Sequence, residues 1–174
     1  LVGWGNTVSI CEQTAATLEK TGITTDVIDL RSISPWDQKL VLSSAEKTAR
    51  LIVVHEDNQT CGLGAEVIAT VAEKAKLPIA MRRVTRPDTH VPCNFPNQTR
   101  ILPGFKRTLA AAAELLDLDL KWEKKQLPTA GNTFIEAIGS GPADESIEIV
   151  ELYVNAGQHL KRGAVVASVE ATKS

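Results

Sequence analysis

Leu51-Ile52-Val53-Val54-His55, followed after a short polar loop by Gly62-Leu63-Gly64-Ala65-Glu66, decides the fold of this 174-residue chain. The first run is nearly all apolar. A strand that shows no polar alternation is expected to be covered by helices on both faces. The glycine-containing loop behind it opens a helix expected over about Leu63 to Lys76. Strand, loop and helix in that order make one step of a parallel α/β sheet with right-handed crossovers. Working outward, Leu1–Gly5 reads as a strand. Thr7–Thr21 carries Val8, Cys11, Ala15 and Leu18 as a helical stripe, and Gly22 ends it. Thr25–Leu30 is a second strand. Ser34-Pro35-Trp36-Asp37 is a helix start, with Ser34 capping, Pro35 in the first turn and Asp37 at the positive end of the dipole. Pro78 precedes a strand at Ile79–Val84. Residues 85–104 read as a long Pro/Asn-rich loop, and Leu102–Leu116 as a last, alanine-rich helix.

The texture changes near residue 126. Residues 1–125 form the α/β domain, and 126–132 a Pro/Gly linker. Residues 133–174 form a small β module, with short strands at Phe134–Ile138, Ile147–Val154 and Val165–Val169. In that module six acids face three bases, a net of −3, although the whole chain stands at only −2. The near-neutral balance argues against a general nucleic-acid surface. No apolar run approaches the roughly 20 residues of a membrane-spanning helix. The three cysteines form no CxxC pair, which disfavours a disulfide framework or a zinc knuckle and suits free thiols in a cytoplasmic setting. The single methionine is Met81 and the first strand begins mid-run, so the sequence reads as a piece of a longer protein.

Four features could carry chemistry. Gly3-Trp4-Gly5 with Asp29 imitates a dinucleotide fingerprint, but Val8 stands where the third glycine belongs, a lone GxG is a weak signal, and a tight β-to-α turn is the better account of the glycines. His55, Glu56, Gly62, Gly64 and Glu66 surround a helix N-terminus at the end of a buried strand, where ligands of α/β sheets usually sit. They suit acid–base work or a subunit interface. Cys61 is a helix-start thiol without an evident base. Arg82, Arg83, Arg86 and Arg107, with Arg100 and Lys106, are opposed within residues 82–107 only by Asp88, which suits an acidic partner, an anion or a solvated face. Lys173 follows a strand in the acidic module and could be an attachment point or a plain surface lysine. No metal-ligand spacing is present.

Three ordered stretches resemble the beta-type chain of the decarboxylating component of thiamin-diphosphate-dependent 2-oxo acid dehydrogenases. They are Asp26-Val27-Ile28-Asp29-Leu30-Arg31-Ser32-Ile33-Ser34-Pro35-Trp36-Asp37, then Val53-Val54-His55-Glu56 with Gly62-Leu63-Gly64-Ala65-Glu66, then Arg83-Val84-Thr85-Arg86-Pro87-Asp88 with Val91-Pro92. Arg86 departs from the glycine common there. The resemblance implies a transketolase C-terminal-type domain, a mostly parallel five-stranded sheet with flanking helices. It also implies an oxidative decarboxylation whose thiamin diphosphate and magnesium are held outside this chain, because no GDG motif is present, so that the fragment alone is inactive. His55, Glu56, Gly62, Gly64 and Glu66 then become active-site rim or interface, and the arginines a docking surface for the dihydrolipoyl acyltransferase component. A homo- or hetero-oligomer follows. The run Val154–Ser174 resembles the first half of a lipoyl domain, a half-barrel or sandwich segment whose lysine carries lipoate. This implies attachment at Lys173, with Thr172 and Ser174 replacing the usual Asp and Ala. Another transketolase-like enzyme, such as a deoxyxylulose-phosphate synthase, and a docking module with unmodified Lys173 are the competing readings.

Overall fold

The computed structural model describes residues 1–120, 144–161 and 163–173. The chain divides into two compact units, Leu1–Trp122 and Glu123–Ser174.

In the first unit four parallel strands form one sheet: β1 (Val2–Gly3), β2 (Ile28–Asp29), β3 (Arg50–Asn58) and β4 (Ala80–Arg86), in the order β2-β1-β3-β4. The fifth strand implied by the resemblance is not among the described residues. Five helices connect or follow the strands: α1 (Thr7–Glu19), α2 (Gln38–Thr48), α3 (Leu63–Lys74), α4 (Phe95–Ile101) and α5 (Phe105–Leu116). The apolar run of β3 lies at the centre because each of its faces meets a separate core. Leu51 and Val53 pack with Val41, Ala45, Val67 and Val71 of α2 and α3. Ile52 and Val54 pack with Cys11, Leu18, Leu109 and Ala112 of α1 and α5. Val53 and Val54 are fully buried, each worth about 1.5–3 kcal/mol of apolar transfer. Burial pushes the Cys11 thiol up to about 11, so it behaves as a small apolar residue.

Three expectations change. The α2 cap is Asp37, whose carboxylate accepts from the Leu40 N–H at 3.0 Å. Ser34 precedes a cis peptide at Pro35 and lies outside the helix. Within the expected loop 85–104, Asn94 caps α4 by accepting from the Asn97 N–H at 3.1 Å, and Pro96 sits in the first turn. The second strand is only Ile28–Asp29, because β1 offers it two partners, Val2 and Gly3.

The described part of the second unit is an antiparallel hairpin of β5 (Asp144–Leu152) and β6 (Ala167–Lys173). Ile149 pairs with Val169 and Leu152 with Ala167. Between them Val150 and Glu151 together face Ser168, a β-bulge. The extra residue keeps Ile149 and Leu152 on one face, whereas Glu148 opposes Glu170 on the other. The expected strand Phe134–Ile138 and the linker 126–132 lie outside the described residues. Lys173 is in register with Asp144 at the end of β6.

Candidate functional site

The chain leaves β1 toward β2 on one side and leaves β3 toward β4 on the other. The carboxyl ends of β1 and β3 therefore flank the point where the connections diverge, the usual ligand crevice of an open α/β sheet. Here two loops meet across a ring stack. Trp4, from the turn after β1, lies 5.1 Å centroid to centroid from His55 of β3, with 11° between the planes. His55 is fully enclosed, and neither Nδ1 nor Nε2 has a hydrogen-bond partner.

The loop glycines are there because of this ring. A Cβ on Gly64 would stand 2.3 Å from His55 Nε2, and one on Gly62 would stand 2.7 Å from its Cε1 and 2.2 Å from the Asn58 carbonyl oxygen. Burial holds the imidazole below its ordinary value. Asp57 opposes that shift and Arg83 adds to it. The ring is thus a neutral peg beneath the first turn of α3. Glu56 is half-buried and Glu66 is exposed, with Thr70 donating to it at 3.4 Å. Of the five residues singled out here by sequence, His55, Gly62 and Gly64 build the interior, and the two glutamates remain available at the surface.

Thr7 and Trp4 complete the arrangement and were not recognised in the sequence as part of it. Thr7 Oγ1 accepts from the Trp4 N–H at 3.1 Å and lies 2.8 Å from the Val54 carbonyl oxygen. It is buried and sits against Gly3, where a Cβ would come within 2.8 Å of the hydroxyl. The usable signal was Gly3-Trp4-Gly5 itself, whose glycines serve the turn; Gly5 adopts φ +57°. Thr7→Val is expected to lower unfolding free energy by about 1–3 kcal/mol in urea titration, because it strips a part-buried amide and a buried carbonyl of this partner. An unchanged midpoint would show the hydroxyl to be dispensable.

The arginines are largely engaged within the fold. Arg82 pairs with Glu114 at 2.7 Å in an exposed contact and donates to the Met81 carbonyl at 3.1 Å. Arg83 donates to the Gln59 carbonyl at 2.5 Å. Arg86 donates to the Thr89 carbonyl, lies 3.8 Å from Asp57, and keeps only 16% of its side chain exposed. Arg107 donates to the carbonyls of Thr85, Ile101 (3.0 Å) and Leu102 (3.2 Å). The parallel ladder turns Ala80 toward β3, so Met81 and Thr85 present their carbonyls on the other edge of β4, which no described strand pairs. Arg82 and Arg107 cover those two acceptors and blunt the edge. Thr60 joins the loop after β3 to the loop after β4. Its hydroxyl and N–H reach Asp88 at 2.6 and 2.9 Å and hold that carboxyl below the usual carboxylate range.

A family model described as the transketolase C-terminal domain matches residues 1–102. The chain belongs to that family. The beta 2 subunit of the mitochondrial 2-oxoisovalerate dehydrogenase of Arabidopsis thaliana is 38% identical over 116 residues, covering 63% of this chain and 32% of that one. The beta subunit of the pyruvate dehydrogenase E1 component of Bacillus subtilis is 35% identical over 119 residues, covering 67% and 36%. A solved split-gene transketolase, an inactive beta4 tetramer, superposes with a TM-score of 0.58 at 26% identity, over 67% of this chain and 37% of that one. The chain thus spans about a third of the length of these relatives.

This transketolase C-terminal domain does not fit thiamin diphosphate and magnesium by itself. Among the described residues no group of three or more His, Cys, Asp or Glu side chains could hold a metal ion. The loop before α3 offers no lysine, and its Glu56 and Asp57 with the tied Asp88 outnumber Arg83 and Arg86, which reach it, so its balance is unfavourable to a diphosphate. A cavity of about 370 Å³ lies at the opposite, amino end of the sheet, between Leu18, Ile23, Arg50 and Leu115, and its Asp26 is paired with Lys47. Among the described residues no helix is long and apolar enough to cross a membrane.

Proposed function

We propose that this chain is the C-terminal part of the decarboxylating component of a 2-oxo acid dehydrogenase complex. In this role it supplies subunit contacts and a docking surface, and it carries a lipoyl-like module behind it. The stretch shared with the beta subunits of 2-oxoisovalerate and pyruvate dehydrogenases is the observation that carries this reading. The crevice at the strand ends supports it too. A neutral, packed histidine fills it. Thiamin diphosphate, held with magnesium by the rest of the component, would supply the carbanion chemistry that releases carbon dioxide. Glu56 and Glu66 face partners at the active-site rim or interface, with His55, Gly62 and Gly64 fixing the loop that presents them. Arg82, Arg83, Arg86 and Arg107 form the side offered to the dihydrolipoyl acyltransferase. Lys173 receives lipoate, and tethering then raises the effective concentration of the acyl acceptor. The assembly is an oligomer working in the cytoplasm.

Acetoin is a second substrate to test. The beta subunit of the Bacillus subtilis acetoin:2,6-dichlorophenolindophenol oxidoreductase is 35% identical over 114 residues, covering 64% of this chain and 33% of that one. The test uses the natural full-length protein with its partner subunit, thiamin diphosphate and magnesium. Carbon dioxide release from pyruvate, branched-chain 2-oxo acids or 2-oxoglutarate is expected, and the 174-residue chain alone is expected to give none. Turnover of acetoin alone moves the assignment to the second substrate, and turnover by the isolated chain overturns the division of labour. Intact mass after co-expression with a lipoate ligase is expected to show a lipoyl increment that Lys173→Arg abolishes. An unmodified Lys173 overturns the carrier role.

A further inference from the structure

The His55 site holds a contradiction that goes beyond the proposed function and does not rest on it. A titratable ring is fully buried with both nitrogens unpartnered, yet it joins the two loops that follow β1 and β3 at the strand-order divergence. It contacts Trp4 on one face and the backbone of Gly62 and Gly64 on its edge. Among the described residues the charges that act on it are Asp57 of its own strand and Arg83 of β4, and they oppose one another. The turn after β1 brings no charged group. The first turn of α3 brings backbone N–H groups that no side chain caps, and Glu66 on that turn is exposed. This is the positive end of a helix dipole.

We propose that Trp4 and His55 form an acid-sensitive latch: the neutral ring holds the two loops together, and its protonation releases the indole and frees the loops while the sheet stays folded. An imidazolium beneath an indole gains a cation–π attraction. Here, however, the charge would be carried in a dry site without a hydrogen-bonding anion and beside a helix N-terminus, so desolvation outweighs the attraction. The cheapest escape is for the ring to reach water. Trp4, half-buried at the margin of the core that includes Leu51 and Val53, is the neighbour whose outward swing would open that path. Thr7, held to the Val54 carbonyl, anchors the start of α1 behind it.

The test uses a Trp36→Phe/Trp122→Phe variant, in which Trp4 is the sole indole of the chain. Emission and acrylamide quenching are followed from about pH 8 to about pH 5, with far-UV circular dichroism alongside. The expected result is a red shift and a severalfold gain in quencher access, centred below about pH 6.5, with the dichroism unchanged. His55→Phe is expected to remove the transition. Dimming without a red shift or added access would mean that the imidazolium stays stacked, and the latch fails. A transition that survives His55→Phe, or one that coincides with loss of dichroism, overturns it as well. Amide hydrogen exchange in the unsubstituted protein, corrected for intrinsic pH effects, gives a second reading that needs no variant. Acid is expected to accelerate exchange at Trp4–Thr7 and Gly62–Ala65 and to leave Leu51–Val54 protected. Equal protection of all three segments also sinks the proposal.

Discussion

Gly64→Ala is expected to destabilise the α/β unit by about 2–3 kcal/mol, read as a lower urea midpoint at unchanged slope. The new methyl group would stand 2.3 Å from His55 Nε2 and 2.5 Å from Cδ2, with Val53 Cγ1 at 3.3 Å closing the third side. While Trp4 stacks on it, the neutral ring has little room to give. The cost should therefore depend on His55. In a double-mutant cycle, His55→Ala clears the space, and the pair is expected to lose much less than the sum of the single losses. Gly62→Ala provides the contrast. Its methyl would meet the Asn58 carbonyl oxygen at 2.2 Å, a backbone atom that no side-chain truncation moves. That loss should persist in the His55→Ala background. If Gly64→Ala and His55→Ala prove additive, the ring is not what forbids a side chain at position 64.

Arg107→Met is expected to cost about 1–2 kcal/mol, because an exposed side chain loses three charge-assisted bonds at once, the one to the Thr85 carbonyl part-buried. One guanidinium serves the outer edge of β4 and two consecutive carbonyls, Ile101 and Leu102, at the start of the turn that leads into α5. Lysine should rescue poorly, because a point charge on a flexible stem cannot span three acceptors as a planar fork does. Arg82→Met is the control. Its ion pair with Glu114 is exposed on both sides, so a change of at most about 1 kcal/mol is expected in the same titration. Equal losses for the two would reject the division between structural and surface arginines. A docking assay should accordingly rest on charge reversal at Arg82, since reversal at Arg107 would confound binding with folding.

These two positions also show how far the sequence can be read. The apolar run of β3 announced a doubly covered strand, and the helices beside it followed from their own periodicity. Gly62 and Gly64 were visible as a glycine loop before a helix, but the reason for them was not. It lies in a ring seven residues upstream of Gly62, whose burial no local pattern announces when Glu, Asp and Asn follow it. Trp4 comes from the turn after a different strand, so its stack is a product of topology. The arginines were countable but their acceptors were not, because carbonyls at a sheet edge have no signature in side-chain identity. α4 hid behind Pro and Asn, which mark a loop as readily as a capped first turn. Ser34 and Asp37 both satisfy the rule for a helix cap, and only the path of the chain chooses between them.

The bulge at Val150 gives β5 something like a reading frame. Strict alternation through Ile149, Val150, Glu151 and Leu152 would send Leu152 to the face of Glu148. The doubled position opposite Ser168 resets the count, so the apolar surface continues unbroken past it. What this strand inherits is therefore a number of residues as much as their kinds. Trading Val150 for another side chain leaves the two faces distinct, whereas losing it would exchange them from that point to the strand's end.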